Sequence, residues 1–182
     1  MTTAMAHAQQ HEQASATENY FTIATPVGTW QVITRGDALS SFEFCPPKNL
    51  PAKKPQSDFE KALYQKLTAY LNGQRVDFKD IPLYTPSGSP FHQKVWQALR
   101  EIPYGETRTY ADIAEAVGSP AAFRAVGSAN SRNPIPVVIP CHRVVGKDGS
   151  LRGFMGGHPQ GMKIKEFLLG LEQVTNNSRL GG

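Results

Sequence analysis

The residues that could do chemistry lie together in one short run. Cys141-His142-Arg143 follows Pro140 and closes an apolar segment, Asn133 to Pro140, that three prolines interrupt. The thiolate, not the thiol, is the nucleophile, and a neighbouring imidazole or guanidinium favours it. Adjacent side chains on an extended chain point to opposite faces. His142 would therefore reach the sulfur through a bridging water or across a turned backbone. From residue types alone two readings stay open: a reactive nucleophile, or an inert thiol in an apolar core. The other cysteine, Cys45, sits far upstream in a proline-rich loop. Two cysteines are too few for a disulfide framework or a cysteine-type zinc site, so a reducing compartment is the default expectation.

The elements that must position this run can be read from periodicity. Between residues 20 and 44 apolar side chains alternate (Phe21, Ile23; Trp30, Val32; Phe42, Phe44), with turn signals at Pro26-Val27-Gly28 and Arg35-Gly36-Asp37. That pattern predicts an antiparallel meander. Phe59, Leu63, Leu67, Tyr70 and Leu71 recur at helical spacing up to Asn72-Gly73, and a short strand is expected around Val76–Phe78. Residues 80–90, DIPLYTPSGSP, read as a domain linker.

Beyond it the pattern turns helical. Phe91, Val95, Leu99 and Ile102 line one face of a helix. Thr109 caps a second helix, Tyr110 to Val117, and Ser119-Pro120 opens a third, 120 to about 131. The last two form a helix-turn-helix pattern. The third is rich in small residues (Ala121, Ala122, Ala125, Gly127, Ser128, Ala129), which suits close approach to a large ligand or tight helix packing. Val144-Val145 with Gly146 and Asp148-Gly149 suggest a hairpin or wing, and a last amphipathic helix carries Ile164, Phe167, Leu168 and Leu171.

The fold expected is α/β: a small N-terminal α/β domain over 19–84, then a mostly helical domain over 85–174. A disordered tail, 1–18, and a flexible tail, 175–182, would flank them. The 182-residue chain is long enough for two small cores. No stretch approaches the roughly 18 apolar residues of a membrane span, and the first 19 residues do not read as a secretory signal. The net charge of +4 is uneven. Residues 1–90 carry 8 Lys/Arg and 8 Asp/Glu, and residues 91–182 carry 11 against 7. The C-terminal half is thus the better candidate for touching phosphates.

The segment IPCHRVVGKDG, with RAVGSANSRNP upstream and KEFLLGLE downstream, resembles the O6-alkylguanine-DNA alkyltransferase family across about residues 89–172. That resemblance implies a ribonuclease-H-like N-terminal domain and a winged-helix-like DNA-binding and catalytic domain. It implies a suicide repair protein that moves an alkyl group from O6-alkylguanine, and from O4-alkylthymine, to its own cysteine. Residue by residue, Cys141 resembles the alkyl acceptor, His142 the base acting through a water, and Glu172 the carboxylate orienting that imidazole. Asn133 resembles the hinge bracing the active-site loop. Tyr110 resembles the phenol that gives a proton to the leaving guanine, and Arg124 the finger that fills the stack when the nucleotide flips out.

The expected partner is double-stranded DNA, approached from the minor groove and bound largely without regard to sequence by a monomer. Ser119, Lys147 and the small residue Ala125 are expected at the DNA. Val144, Phe154 and Met155 are expected to shape the substrate pocket. No cofactor is implied. The metal expectation is none, because Cys45, His7 and His11 are the only ligands on offer upstream. Location would be cytoplasmic in a prokaryote and nuclear in a eukaryote. Two departures from the family pattern stand out: Gly153-Phe154-Met155-Gly156, where Met155 would alter which alkyl groups fit, and an inserted HPQG before the last helix. Two other readings compete. One is a non-catalytic module that recognises alkyl lesions, and the other is a cysteine hydrolase built on Cys141, His142 and Glu172.

Overall fold

The computed structural model describes residues 17–85 and 88–180, and the backbone alone for 174–180. The expected tail lies outside the described residues as far as residue 16, with His7 and His11 in it, and so do residues 181–182. The chain divides into two compact units. One is Met1–Thr68 with Asp80–Pro86, and the other is Ala69–Lys79 with Ser87–Gly182.

The first unit is built on a three-stranded antiparallel sheet in the order β1-β2-β3: β1 Glu18–Thr25, β2 Gly28–Arg35 and β3 Ala38–Glu43. Two-residue turns join the strands, with Thr25 facing Gly28 and Arg35 facing Ala38. Gly28 takes φ 117 and Gly36 φ 52 at these reversals, where a side chain would be strained. The alternation seen in the sequence points Phe21, Ile23, Trp30, Val32 and Phe42 to one buried face. Trp30 meets Phe42 and Phe44 edge-on, with centroids 5.5 and 4.9 Å apart.

Helix α1, Asp58–Leu71, starts in a capping box. Ser57 Oγ accepts from Glu60 N at 3.1 Å, while Glu60 Oε2 accepts from Ser57 N at 3.3 Å. The same buried carboxylate accepts from Thr34 Oγ1 on β2 at 2.8 Å and from Asn19 Nδ2 on β1 at 2.9 Å, tying helix to sheet. The stretch read as a linker is partly sheet edge. Leu39 N donates to Pro82 O and Tyr84 N donates to Leu39 O, each at 2.9 Å, so Leu83 pairs beside β3. A backbone run with free donors beside an unpaired edge is drawn onto it despite its prolines. Residues 76–78, expected as a strand, form none.

The second unit holds the last turn of α1, from Ala69, and four further helices' worth of chemistry-bearing chain. Helix α2, Pro90–Arg100, follows an N-cap at Ser89, whose side chain accepts from His92 N. A short strand β4, Arg108–Thr109, leads into α3, Tyr110–Ala116, where Thr109 and Asp112 form a capping box. Helix α4 is Phe123–Ser131, shorter than expected. Ser119-Pro120 does not start it: Ala122 N donates to Ser119 O at 2.8 Å, closing a separate turn, and Ala122 is the cap.

Val144–Val145 is β5, paired in parallel with β4 rather than folded into a hairpin. The following Gly146–Ser150 turn closes on itself, with Gly146 N donating to Ser150 O at 2.8 Å. The last helix, α5, is Gly161–Leu180, so its backbone continues over most of the stretch expected as a tail. Val95, Leu99, Ile113, Val126, Ile135, Ile139, Val144, Ile164 and Leu168 form the apolar core of this unit. Each such side chain contributes about 1.5–3 kcal/mol by leaving water.

Candidate active site

The position of Cys141 begins with Asn133. Its Nδ2 donates to Ile139 O at 2.7 Å, and its Oδ1 accepts from Ile135 N at 2.9 Å, so one side chain clamps both ends of the segment between them. Inside that segment Val137 sits at φ 75, a left-handed conformation that a β-branched residue adopts only when its surroundings force it. The chain then turns sharply. Cys141 N donates to Ile139 O at 2.8 Å, and Cys141–Arg143 form a 3-10 turn. The backbone at the cysteine is therefore turned, not extended, and Cys141, His142 and Arg143 are all buried.

Behind the turn lies Glu172, buried on α5. His142 Nε2 is 2.8 Å from Glu172 Oε1. Arg143 donates to the same carboxylate from Nε at 3.0 Å to Oε2 and from a terminal nitrogen at 3.0 Å to Oε1. Tyr70 Oη donates to Oε1 at 2.7 Å, and Gly105 N donates to Oε2 at 3.0 Å. Burial alone would raise this carboxyl's pKa, but His142 and Arg143 hold it well below the usual range. Glu172 is thus an anion surrounded by donors. The other imidazole nitrogen, Nδ1, is buried without a hydrogen-bond partner. Burial lowers the His142 pKa against the pull of Glu172, so the ring is neutral at pH 7.

Burial pushes the Cys141 thiol up to about 11, opposed by the Asn133 amide and by the positive charge of Lys165. The resting group is a protonated thiol, and a base must act for it to become a nucleophile. Lys165 is itself buried on α5, donating to Val144 O at 2.6 Å and to Arg152 O at 2.9 Å. Burial draws its pKa down to about 8.

Three of the expected residues, Tyr110, Arg124 and Lys147, lie together on a second face. Tyr110, Phe123, Arg124, Lys147 and Arg152 line a cavity of about 840 Å³ with Thr109, Ala111, Gly146 and Asp148. Tyr110 Oη donates to Arg152 O at 2.9 Å. Its pKa is raised by burial first and then by the Cys141 sulfur, which places phenol and thiol in one electrostatic neighbourhood. Asn130 lies buried beside it on α4, close enough to lower that pKa but without a well-formed hydrogen bond of its own. Ala125 is exposed on α4.

Not every expected residue joins these groups. Ser119 lies in the turn before α4 and caps no helix. Phe154 and Val144 are core residues, and neither lines the cavity, which Cys141 does not line either. Met155 is half-buried at φ 53 in a short 3-10 turn, also away from that cavity. The sequence marked neither Tyr70 nor Lys165, which hold Glu172 and the loop after Cys141, nor Phe123, and it pointed to Arg143 only as a cation beside the thiol. Arg143 stood inside the quoted motif, and Phe123 is a large residue in a run of small ones; those were the available signals. Among the described residues, no group of three or more histidine, cysteine or carboxylate side chains is placed to hold a metal ion.

Comparison with known proteins gives a consistent result over most of the chain. The family model described as 6-O-methylguanine DNA methyltransferase, ribonuclease-like domain, matches residues 19–85. The model described as 6-O-methylguanine DNA methyltransferase, DNA binding domain, matches residues 90–174. A methylated-DNA–protein-cysteine methyltransferase of Methanosarcina barkeri is 44% identical over 88% of this chain and 99% of that protein. The constitutive enzyme of that name from Bacillus subtilis is 54% identical over 61% of this chain, which spans 64% of the relative's length. Among solved structures, Mycobacterium tuberculosis OGT in complex with DNA aligns with a TM-score of 0.71 and 38% identity, covering 86% of this chain and 93% of that one.

Proposed function

Because the chain belongs to the 6-O-methylguanine DNA methyltransferase family, we propose that it repairs DNA by taking the alkyl group of O6-alkylguanine, and of O4-alkylthymine, onto Cys141, once per molecule. The observation that carries this reading is the His142–Glu172 pair, which leaves one imidazole nitrogen unpaired on the same turn as the thiol. A water between Nδ1 and the sulfur completes a Cys–water–His–Glu relay.

The chemistry is a displacement at the alkyl carbon. His142 takes the thiol proton through the water. The sulfur then forms a bond to carbon as the carbon–O6 bond breaks. The leaving guanine takes up a proton from Tyr110, and the relayed thiol proton restores the phenol. The thioether does not hydrolyse, so the protein is a stoichiometric reagent. No metal or organic cofactor enters this step.

The lesion lies inside the duplex, so the nucleotide must be extruded before attack. Arg124 fills the gap, and the exposed small residue Ala125 lets α4 approach the minor groove closely. Lys147 and the amides of the first turn of α4, which have no intrahelical acceptor, hold phosphates. Binding is therefore largely independent of sequence and weakened by salt. One copy acts on one lesion, in the cytoplasm of a prokaryotic cell such as those of the relatives. No described helix is long and apolar enough to cross a membrane.

Intact-mass measurement after incubation with an O6-methylguanine oligonucleotide tests the reading. One methyl mass should appear on the Cys141 peptide, and Cys141→Ala should abolish it. Binding of the oligonucleotide without mass transfer would favour a recognition module, and thiol regeneration with turnover of an ester would favour a hydrolase.

A further inference from the structure

We propose that Phe123 is a second wedge for the duplex, an aromatic side chain that enters the minor groove beside Arg124 and stacks on the bases exposed when the damaged nucleotide leaves. The proposal rests on the alkyltransferase reading and adds to it a DNA-contacting residue that the quoted motifs do not contain.

Among the described residues Phe123 is the large apolar side chain left exposed, at 47%. It is the first residue of α4, and it is not among that helix's buried residues. Its neighbours in sequence, Ala121, Ala122 and Ala125, carry little side chain. The ring therefore stands out from an otherwise low surface, and it would be the first apolar group to meet anything that docks there.

Residues i and i+1 of a helix diverge by about 100°, yet the Arg124 guanidinium lies 5.8 Å from the centroid of the Phe123 ring. The longer side chain folds back over the shorter one. Ring and guanidinium form one unit with a flat apolar surface and a fixed positive charge.

The surroundings identify the occupant. Phe123 shares the cavity of about 840 Å³ with Tyr110, Arg124, Lys147 and Arg152, and the carboxylate in the lining, Asp148, is paired with Arg152 at 3.5 Å. An exposed aromatic among cations fits a polyanion that also presents stackable faces. A second copy docked on the same patch would set these cations against one another. Duplex DNA satisfies both features, because extruding a nucleotide exposes the faces of the flanking bases, and aromatic side chains stack on any base.

The test uses the full chain with Phe123→Ala, Phe123→Leu, Phe123→Trp and, as a reference, Arg124→Ala. Three quantities are read: single-turnover repair of an O6-methylguanine duplex, reaction with free O6-benzylguanine, and fluorescence of a 2-aminopurine placed beside the lesion. Phe123→Ala should slow duplex repair about tenfold and reduce the 2-aminopurine signal, in line with the loss of one stacking contact. Its reaction with the free base should stay within about twofold of the parent, because an exposed residue supports no core. Phe123→Trp should keep the duplex rate, and Phe123→Leu should fall between. Normal duplex repair by Phe123→Ala, an equal loss on the free base, or a full rate with Phe123→Leu would overturn the proposal. If Arg124→Ala also repairs duplex normally, the assignment of α4 as the DNA face fails as well. If Arg124→Ala is slow and Phe123→Ala is not, only the role of Phe123 is lost.

Discussion

His142 Nε2 lies 2.8 Å from Glu172 Oε1, and that bond decides which nitrogen of the ring is left unpaired. Glu172 is an anion that already accepts from Tyr70, Arg143 and Gly105. A carboxylate can only accept, so Nε2 carries the hydrogen. Nδ1 then holds a lone pair, buried and unpaired, on the turn that carries Cys141. The tautomer follows from the position of a carboxylate thirty residues downstream.

This arrangement sets the pH profile. Burial lowers the His142 pKa below its ordinary 6.5, and in the proposed relay a neutral ring is the competent base. Reaction with a free alkylguanine should be flat from about pH 7 to about 8, where Lys165 begins to lose the charge that favours the thiolate, and fall on acidification with a midpoint below about 6.5. A single-turnover rate series checks this, and a midpoint above 7 would mean that the ring is charged at rest. Stability should fall in the same direction. The unfolded chain binds a proton at His142 near 6.5 while the folded chain does not, so that contribution is present above 6.5 and lost below it. Glu172, with its folded pKa depressed, adds a second decline beginning near the unfolded carboxyl value of about 4.3.

Tyr70 gives a separate handle on the same carboxylate. Its hydroxyl donates to Oε1 at 2.7 Å and also lies 3.4 Å from His142 Nε2. Tyr70→Phe keeps the ring and removes one donor to a buried anion, at a cost of about 1.5–3 kcal/mol in stability. With one donor fewer, Glu172 attracts the imidazolium more strongly, so the acid limb of the rate profile should move to higher pH. Loss of stability with an unmoved limb would make Tyr70 a packing residue only.

What the sequence revealed and what it hid divide along distance. Cys141 and His142 are neighbours after a proline, an adjacency that marks them as candidates while a reactive nucleophile and an inert thiol both stay open. Strands β1 to β3 and the capped helices α2 and α3 were legible because alternation and capping are local signals. Tyr70 reaches partners 72 and 102 positions away, and no local pattern marks it. Lys165 has the sequence appearance of a solvated helix lysine, but two backbone carbonyls fix it in the core. Ser119-Pro120 carries the usual signal of a helix start, yet a turn closed by Ser119 O took it instead. Residues 76–78 hold Val76 and Phe78 but join no strand; β-propensity reflects packing between strands more than backbone preference.

Asn133 is expected to be worth more than one hydrogen bond. It pairs with Ile135 N and Ile139 O across a segment strained at Val137. Asn133→Ala leaves a donor and an acceptor without their partner and should cost about 2–4 kcal/mol, with slower alkyl transfer as the turn at Cys141 loosens. Asn133→Asp keeps an acceptor for Ile135 N but has no donor for Ile139 O, and it brings a negative charge close to the thiol. It should react more slowly than Asn133→Ala at neutral pH, because that charge opposes formation of the thiolate. Thermal unfolding and the free-base rate, measured on both variants, separate the bracing role from the electrostatic one.

The glycine that ends the inserted HPQG sequence is fixed by space. A Cβ on Gly161 would stand 2.6 Å from Phe154 O and 3.4 Å from Met155 Cβ. Alanine gains about 0.8–1 kcal/mol over glycine in a helix interior and less at a first residue. Overpacking against a backbone carbonyl costs about 1–3 kcal/mol. The clash should win, so Gly161→Ala should lower the melting temperature and displace the Phe154–Gly157 turn. Gly170, further along α5, has no atom within 4 Å of an added Cβ. Gly170→Ala should therefore raise the melting temperature, by the helix-propensity gain alone. Melting curves of the two variants test the placement of the insertion: equal and opposite signs to those stated would mean that Gly161 faces open space.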